Sequence, residues 1–178
     1  SGIRPFALAF REYTDPTGYT TPGGARLDNF NASRDTLYGD CWQALIWTLQ
    51  GNLHFPPSAD SYQSTTIGVP FADLLALAYP TDTHVALLKE QIANDPSRGT
   101  HQQAVFYRSP ELEKQSTPPL TLPDTIFPYL SQGYLRTGED GRKSLISLNA
   151  ADHHNHHHID GLNLYYWKDG RELLSDLG

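Results

Sequence analysis

Five of the eight histidines in this chain fall within residues 153–158, inside the stretch 152–160. Neutral imidazole is a common zinc ligand, and it is also the side chain whose proton moves most readily near neutral pH. In an extended chain alternate residues share a face, so His156, His158 and Asp160 would lie on one side. The cluster therefore predicts a metal-binding or acid–base site, and the alternative is a solvated polar strand end that binds nothing.

A β-hairpin is predicted directly after the histidines. Residues 161–168 alternate and are rich in aromatic side chains, and Asp169-Gly170 is a strong turn signal. The histidines therefore open a strand, or the loop that enters it, and do not lie on a helix. Upstream, further strands are predicted at 134–136 and 143–148, separated by a turn at Glu139-Asp140-Gly141.

Helices are predicted in the first part of the chain. The clearest one has an apolar stripe and is expected to be well buried, with Gly51 as its C-terminal cap and Cys41 as a small buried apolar residue. Pro70 opens a short helix that Pro80 closes. The stripe consists of Leu37, Cys41, Trp42, Leu45, Ile46 and Leu49.

Two weaker helical segments follow, and the first thirty residues show no convincing period. A third helix is expected over residues 83–93, and Thr100 with Gln103 forms a capping-box pair for a fourth, short helix. Phe6, Leu8 and Phe10 alternate, which favours a short extended piece.

The order of these elements predicts an α+β chain with segregated regions. Residues 1–115 form the α-helical part, residues 116–124 a proline-rich linker, and residues 125–178 an antiparallel β-sheet region. Three prolines within the linker disfavour regular pairing and favour an extended connector.

Composition excludes several functional classes. The chain has 178 residues, a net charge of −7 and no basic patch, so nucleic acid is not an expected partner. Mean hydropathy is −0.49, and no apolar run approaches the roughly 20 residues that span a bilayer. The single cysteine rules out an internal disulfide.

Two motifs together carry a resemblance to a known family. The element Asn155-His156-His157-His158-Ile159-Asp160, followed by residues 169–178 with the pattern G-R-x-L-L-x-D-x-G, resembles the heparinase II/III-like polysaccharide lyases. The similarity covers residues 133–178 well. It extends weakly upstream, where Gln50-Gly51 followed by Ser61-Tyr62 resembles a family loop that carries a tyrosine.

The resemblance implies a fold, a reaction and a set of residues. The family fold is an α/α toroid followed by an antiparallel, sandwich-like β-sheet domain, and its enzymes cleave uronic-acid polysaccharides by β-elimination. By position, His156 resembles the catalytic histidine and Asn155 a residue that binds the substrate carboxylate, while Tyr62 is the candidate acid/base. The proton at C5 of a uronate is weakly acidic until the adjacent carboxylate is neutralised, which explains these residue types.

The resemblance also implies a zinc ion beside the active site. His158 and Asp176 resemble two of its ligands, and a further ligand is expected outside this chain because zinc usually takes four. With a two-residue turn at Asp169-Gly170, Asp176 would face Asn163, so His158 must curl back to join it. Asp160 is alternatively a residue that orients a histidine.

The chain departs from the family pattern in its helical part. No histidine precedes His54, so neutralising the substrate carboxylate would fall to an asparagine such as Asn29 or Asn31. The helices are too few for a toroid, which predicts an internal piece of a larger lyase, from the end of the toroid to the start of the sheet domain.

The expected substrate is an acidic polysaccharide or oligosaccharide, and the expected location is periplasmic or secreted, although the start of the chain carries no signal-peptide pattern. Further segments of the same protein, or a homo-oligomer, are the other expected partners. Two alternatives remain open: a non-catalytic carbohydrate- or metal-binding module of the same fold, and an adventitious metal-binding loop on a structural domain.

Overall fold

The computed structural model describes residues 3–58, 62–97, 99–150 and 162–175. Within these ranges the protein contains seven α-helices and one five-stranded antiparallel sheet. The chain divides into two compact units, the first made of Ser1–Gln43 and Gly68–Pro118 and the second of Ala44–Ile67 and Pro119–Gly178. The mixed helix-and-strand class predicted from the sequence is confirmed.

Helices form the first unit, and one of them continues into the second. They are α1 (Ile3–Ala9), α2 (Ala32–Asp35), α3 (Leu37–Trp47), α4 (Val69–Ala78), α5 (Asp82–Asn94), α6 (Ala104–Tyr107) and α7 (Pro110–Lys114). The predicted helices over 70–80 and 83–93 are confirmed as α4 and α5. Helix α4 carries a proline in its first turn, and the Thr81 hydroxyl caps α5 by accepting from the His84 backbone N–H.

The core of the first unit lies between α4 and α5. Leu74 and Leu75 of α4 are buried together with Val85, Leu87 and Leu88 of α5. Burying such side chains stabilises a fold by about 1.5–3 kcal/mol each. This helix pair therefore holds the first unit together.

Two expectations about the N-terminal part of the chain are wrong. Residues 3–9 form helix α1 and not an extended segment. Phe6 and Phe10 are four residues apart, which puts them on one helical face as well as on one strand face, and their ring centroids lie 4.7 Å apart. Cys41 is exposed, not buried, and Leu37 is 77% exposed. Of the predicted stripe only Ile46 and Leu49 are fully buried, and Leu49 lies beyond the end of α3.

The two predicted helix caps are also wrong. Helix α3 ends at Trp47, so Gly51 lies beyond its cap, and a Cβ on Gly51 would sit 2.0 Å from the Arg142 carbonyl oxygen. Glycine is required there by close backbone contact, not by helix termination. Helix α6 begins after Gln103, and no side chain caps it, so Thr100 does not form the expected capping box.

The sheet of the second unit is an antiparallel meander in the order β1-β2-β3-β4-β5. At the predicted hairpin turn, Asp169 and Gly170 have φ angles of 47° and 82°, the conformation of a type I′ turn. The hairpin is therefore confirmed, although a register shift occurs between Tyr166 and Trp167. The strands are β1 (Thr125–Phe127), β2 (Gln132–Thr137), β3 (Ser144–Asn149), β4 (Asn163–Lys168) and β5 (Arg171–Leu174).

One face of the sheet is buried by residues 44–67. Tyr134, Leu145, Tyr165 and Trp167 form the core on this face. The Arg136 guanidinium on the same face donates to the carbonyl oxygens of Trp47 and Leu49. These bonds satisfy carbonyl groups at the end of α3 and just beyond it, and residues 44–67 form part of the sheet unit.

The proline-rich segment is a connector that also contributes buried side chains. Leu120 and Leu122 are both only 1% exposed, and the Leu122 N–H donates to the Asp140 carbonyl at 2.9 Å. The carbonyl oxygen of Leu122 lies close to Gly141, where an added Cβ would meet it at 1.9 Å. This segment is therefore anchored to the turn between β2 and β3.

Two buried tyrosines in the sheet core are expected to make the protein less stable at alkaline pH. Burial raises the pKa of Tyr134 from 10.0 to about 12 and also raises the pKa of Tyr165. A raised pKa favours the protonated native state, so this stability is present below pH 10 and is lost as pH rises toward 12. For Tyr134 it amounts to about 2–3 kcal/mol.

The measurement is urea unfolding at pH 9 and again near pH 12. We expect Tyr134→Phe to reduce the alkaline loss, whereas Tyr129→Phe, whose ring is fully exposed, leaves it as in the wild type. Arg136, whose pKa burial lowers, is common to both variants, so the comparison isolates the tyrosine. Equal alkaline losses in both variants would contradict the prediction.

Candidate functional site

The histidine segment joins two paired strand ends of the sheet. Strand β3 ends at Asn149, β4 begins at Asn163, and these two residues face each other in the register. Four of the predicted site residues, Asn155, His156, His158 and Asp176, lie outside the described residues. Their assigned roles stay predictions, while the strand ends on either side of the histidines are defined.

Tyr62, the candidate acid/base, lies in the loop between α3 and α4. Its side chain is 78% exposed, so its hydroxyl is accessible to a ligand. The loop closes on itself through the Phe55 N–H, which donates to the Thr65 carbonyl at 2.8 Å, and the Thr65 N–H, which donates to the Tyr62 carbonyl at 2.9 Å. Tyr62 is thus an exposed side chain on a hydrogen-bonded turn.

A hydrogen-bond network fastens this loop to the β4–β5 hairpin. Gln63 Nε2 donates to Glu172 Oε2 at 2.8 Å, and the Tyr165 hydroxyl donates to Glu172 Oε1 at 3.1 Å. Gln50 Nε2 donates in turn to the Tyr165 hydroxyl at 3.0 Å. Burial, followed by the charge of Glu172, raises the pKa of Tyr165, so this hydroxyl keeps its proton and acts as a donor to the carboxylate.

The network sets the position of Tyr62 relative to the strand that follows the histidines. Glu172 pairs with Trp167, four residues beyond the start of β4 at Asn163. Four residues of strand span about 13 Å at roughly 3.3 Å each. The loop that carries Tyr62 therefore lies against the hairpin that the histidine segment enters.

Asn31, the other described site residue, is 5% exposed and lies in the first unit. Its Oδ1 caps α2 by accepting from the N–H groups of Ser33 and Arg34, at 2.9 and 3.3 Å. Its Nδ2 donates to the Ala78 carbonyl at 2.8 Å. These bonds give both polar atoms of the buried Asn31 amide a partner within the protein. Its substrate-binding role stays a prediction.

A polar cavity of about 340 Å³ opens beside Asn31. Its two asparagines are candidates on sequence grounds, whereas its two arginines and its tyrosine are not, since no spacing or periodicity connects them. Arg34 forms a bidentate pair with Asp35, at 2.7 and 2.8 Å, and this hydrogen bonding raises the pKa of Arg34. The residues that line the cavity are Arg11, Glu12, Asn29, Asn31, Arg34, Leu77, Ala78, Tyr79, Pro80, Ser109 and Leu112.

The first unit also contains a buried cluster of charged and polar side chains. Asp73 is 0% exposed and receives two hydrogen bonds from Arg108, at 2.6 and 2.9 Å, and one from His101 at 2.8 Å. Arg108 also donates to the Gly99 carbonyl at 2.9 Å. A buried carboxylate needs such partners, so the cluster links α4 to the segment around α6.

Metal-binding geometry is not found in the described part of the chain. Residues 3–58, 62–97, 99–150 and 162–175 contain no group of three or more His, Cys, Asp or Glu side chains arranged to hold a metal ion. The expected zinc ligands His158 and Asp176 lie outside these ranges. The zinc site stays a prediction.

No family model matches the chain, and no curated protein is significantly similar to it. Among the described residues, no helix is long and apolar enough to cross a membrane.

Proposed function

We propose that this chain is part of a polysaccharide lyase that cleaves a uronic-acid-containing polymer by β-elimination. In this proposal Tyr62 and His156 supply the acid and base, and Asn155 binds the substrate carboxylate. Asn31 is the further substrate-binding candidate from the sequence. The single observation that supports the proposal best is the Gln63–Glu172 bond, because it fastens the loop of Tyr62 to the hairpin that follows His156.

The reaction accounts for the types of residue. A base takes the proton from C5, the electron pair forms a double bond between C4 and C5, and the C4–O bond breaks while an acid protonates the leaving oxygen. Hydrogen bonds to the carboxylate at C6 stabilise the negative charge that develops at C5. An exposed phenol such as Tyr62 can reach a polymer that binds along the surface, which a buried tyrosine could not do.

The architecture agrees with this proposal at a coarse level. Helices dominate the first unit, an antiparallel sheet forms the second, and the histidine segment connects two central strands of that sheet. The more specific assignment, the end of an α/α toroid followed by a sandwich-like sheet domain, belongs to the proposal. A periplasmic or secreted location, further segments of the same protein, and an acidic polysaccharide as the partner belong to it as well.

Zinc is part of the proposal through His158 and Asp176. When bound, zinc would hold the histidine segment and the end of the last hairpin together beside the site. Metal analysis of protein purified without an affinity column tests this point. The expected result is about one zinc per chain, and its loss in His158→Ala would assign that histidine.

The activity test uses two variants and one matched control. Tyr62→Phe and His156→Ala are each expected to lower the rate of uronate-polymer cleavage by about 10²–10⁴-fold, the usual contribution of a general acid or base. Tyr129→Phe removes a hydroxyl from a fully exposed ring that has no assigned role, and it should keep full activity. The readout is the ultraviolet absorbance of the unsaturated product.

Two results of this test would contradict the proposal or one of its assignments. If none of a panel of uronate polymers yields unsaturated product with zinc present, the lyase proposal is wrong. Full activity in His156→Ala would remove that residue from the mechanism.

The second candidate is a non-catalytic carbohydrate- or metal-binding module of the same fold. The absence of a histidine before His54 and the structural role of the Asn31 amide favour it. It predicts binding of uronate oligosaccharides without turnover, with equal affinity in the wild type and in Tyr62→Phe. Binding by isothermal calorimetry, combined with the absorbance assay, distinguishes the two candidates.

A further inference from the structure

The polar cavity of the first unit is built around the C-terminal end of helix α4. Arg11 Nη1 donates to the Leu77 carbonyl at 2.8 Å, and Asn31 Nδ2 donates to the Ala78 carbonyl at 2.8 Å. Both carbonyls are in the last turn of α4, where the helix itself supplies no partner. These two side chains therefore satisfy the helix end, and their fixed positions define one side of the cavity.

A short antiparallel contact positions two further residues that line the cavity. Tyr13 and Phe30 exchange two backbone hydrogen bonds of 2.8 Å, and because the contact is antiparallel it brings the chain before Tyr13 next to the chain after Phe30. Glu12 and Asn29 precede these two residues, and both have positive φ angles, 59° and 48°. Such backbone conformations are unusual outside glycine, and here both residues line one cavity.

Of the two arginines that line the cavity, one is paired with a carboxylate among the described residues and the other is not. Arg34 is paired with Asp35, whereas Arg11 has no carboxylate within 4.0 Å among the described residues. In the same described part of the chain, the Asn29 side-chain amide and the Tyr79 hydroxyl make no hydrogen bond. The cavity therefore presents a guanidinium, an amide and a phenol that can still bind a ligand.

The mixture of groups identifies the class of ligand. A guanidinium binds a carboxylate with charge-assisted hydrogen bonds, and amide, phenol and carboxylate groups bind sugar hydroxyls as donors and acceptors. Glu12 supplies an acceptor beside these donors, which suits a polyhydroxylated anion better than a phosphate. The volume of about 340 Å³ is within the range of small-molecule sites.

We propose that this cavity binds a carboxylate-bearing sugar unit, with Arg11 contacting the carboxylate and Asn29 and Tyr79 contacting hydroxyl groups. The choice of a uronate as the ligand rests on the proposed function. The site is in the first unit, and Tyr62 and the histidine segment belong to the second. It would be a second carbohydrate contact that does not take part in cleavage.

The test is a titration of the ¹⁵N-labelled full chain with glucuronate, followed by two-dimensional NMR, with glucose as the uncharged probe. The expected result is saturable shifts at the amides of Arg11, Asn29 and Ala78, and binding of glucose at least about tenfold weaker, the value of one charge-assisted contact. Shifts confined to residues of the second unit, or no shifts at all, would overturn the proposal.

Three variants are designed to keep the fold. Arg11→Gln removes the charge and keeps a donor for the Leu77 carbonyl, Asn29→Gly removes the amide and tolerates the positive φ angle, and Tyr79→Phe removes only the hydroxyl. Arg11→Gln is expected to weaken glucuronate binding about tenfold and to leave glucose binding unchanged. Asn29→Gly and Tyr79→Phe are expected to weaken both sugars by about threefold to tenfold.

Lys168→Gln, in the second unit, is the control with the same change of charge, and it should bind both sugars as the wild type does. Thermal unfolding checks that each variant is folded. Wild-type affinity in all three cavity variants would overturn the proposal. The polymer-cleavage assay is independent of it: cleavage without shifts at the cavity removes this site alone, and shifts without cleavage remove the lyase proposal alone.

Discussion

Replacement of Arg108 by methionine is expected to lower the free energy of unfolding by about 3–5 kcal/mol. The variant leaves the Asp73 carboxylate, which is 0% exposed, without its two hydrogen bonds from the guanidinium. The carboxylate keeps only its hydrogen bond from His101, and a buried charge that loses its cationic partner is one of the few single changes that approach the whole stability of a domain. Urea unfolding followed by circular dichroism measures the loss.

The double variant Asp73→Leu/Arg108→Met tests the cause. It removes the charge that the single change leaves buried, so it should be more stable than Arg108→Met alone. The matched control is Arg34→Met, which breaks the Arg34–Asp35 pair, whose side chains are 38% and 33% exposed. Solvent screens such a pair, and we expect little change in stability. A large loss in the control, or none in Arg108→Met, would contradict this account.

Replacement of Gly141 by alanine is expected to cost about 3–5 kcal/mol in the second unit. Its φ angle is 68°, and an added Cβ would lie 1.9 Å from the Leu122 carbonyl oxygen. The backbone conformation accounts for about 1–2 kcal/mol of the loss, and the overlap with a fixed backbone oxygen accounts for the rest. The same displacement would move the Leu122 N–H away from the Asp140 carbonyl.

Gly170 offers a control that separates these two causes. Its φ angle is 82°, but an added Cβ would meet nothing within 4 Å. Gly170→Ala should therefore lose only the conformational part, about 1–2 kcal/mol. Thermal unfolding of the two variants gives the comparison, and equal losses would show that the contact with Leu122 contributes nothing.

Elements with strong local signals are predicted correctly from this sequence. Pro70 lies in the first turn of α4 and Pro80 follows its end, and Asp169-Gly170 forms the expected hairpin turn. In each case the signal is a property of the backbone itself, a fixed φ angle or an easily adopted positive one. Local conformation is then decided before any tertiary contact forms.

Signals that depend on burial were less informative. The apolar stripe of α3 correctly predicts a helix, but Cys41 and Leu37 on that stripe are exposed. The alternation of Phe6 and Phe10 fits a strand and a helix equally well, and the chain forms α1. Which side chains become buried depends on what packs against them, and periodicity carries no information about the partner.

The candidate sites show the same division. The mixed helix-and-strand class, the hairpin, and the clustering of histidines before it are evident from local sequence, because each of these follows from neighbouring residues. Tertiary packing brings Gln63 to Glu172 and places Arg11, Asn29 and Tyr79 around one cavity, and no local signal predicts either contact. Those contacts join residues up to 109 positions apart, and chain closure over such distances depends on the packing of whole elements.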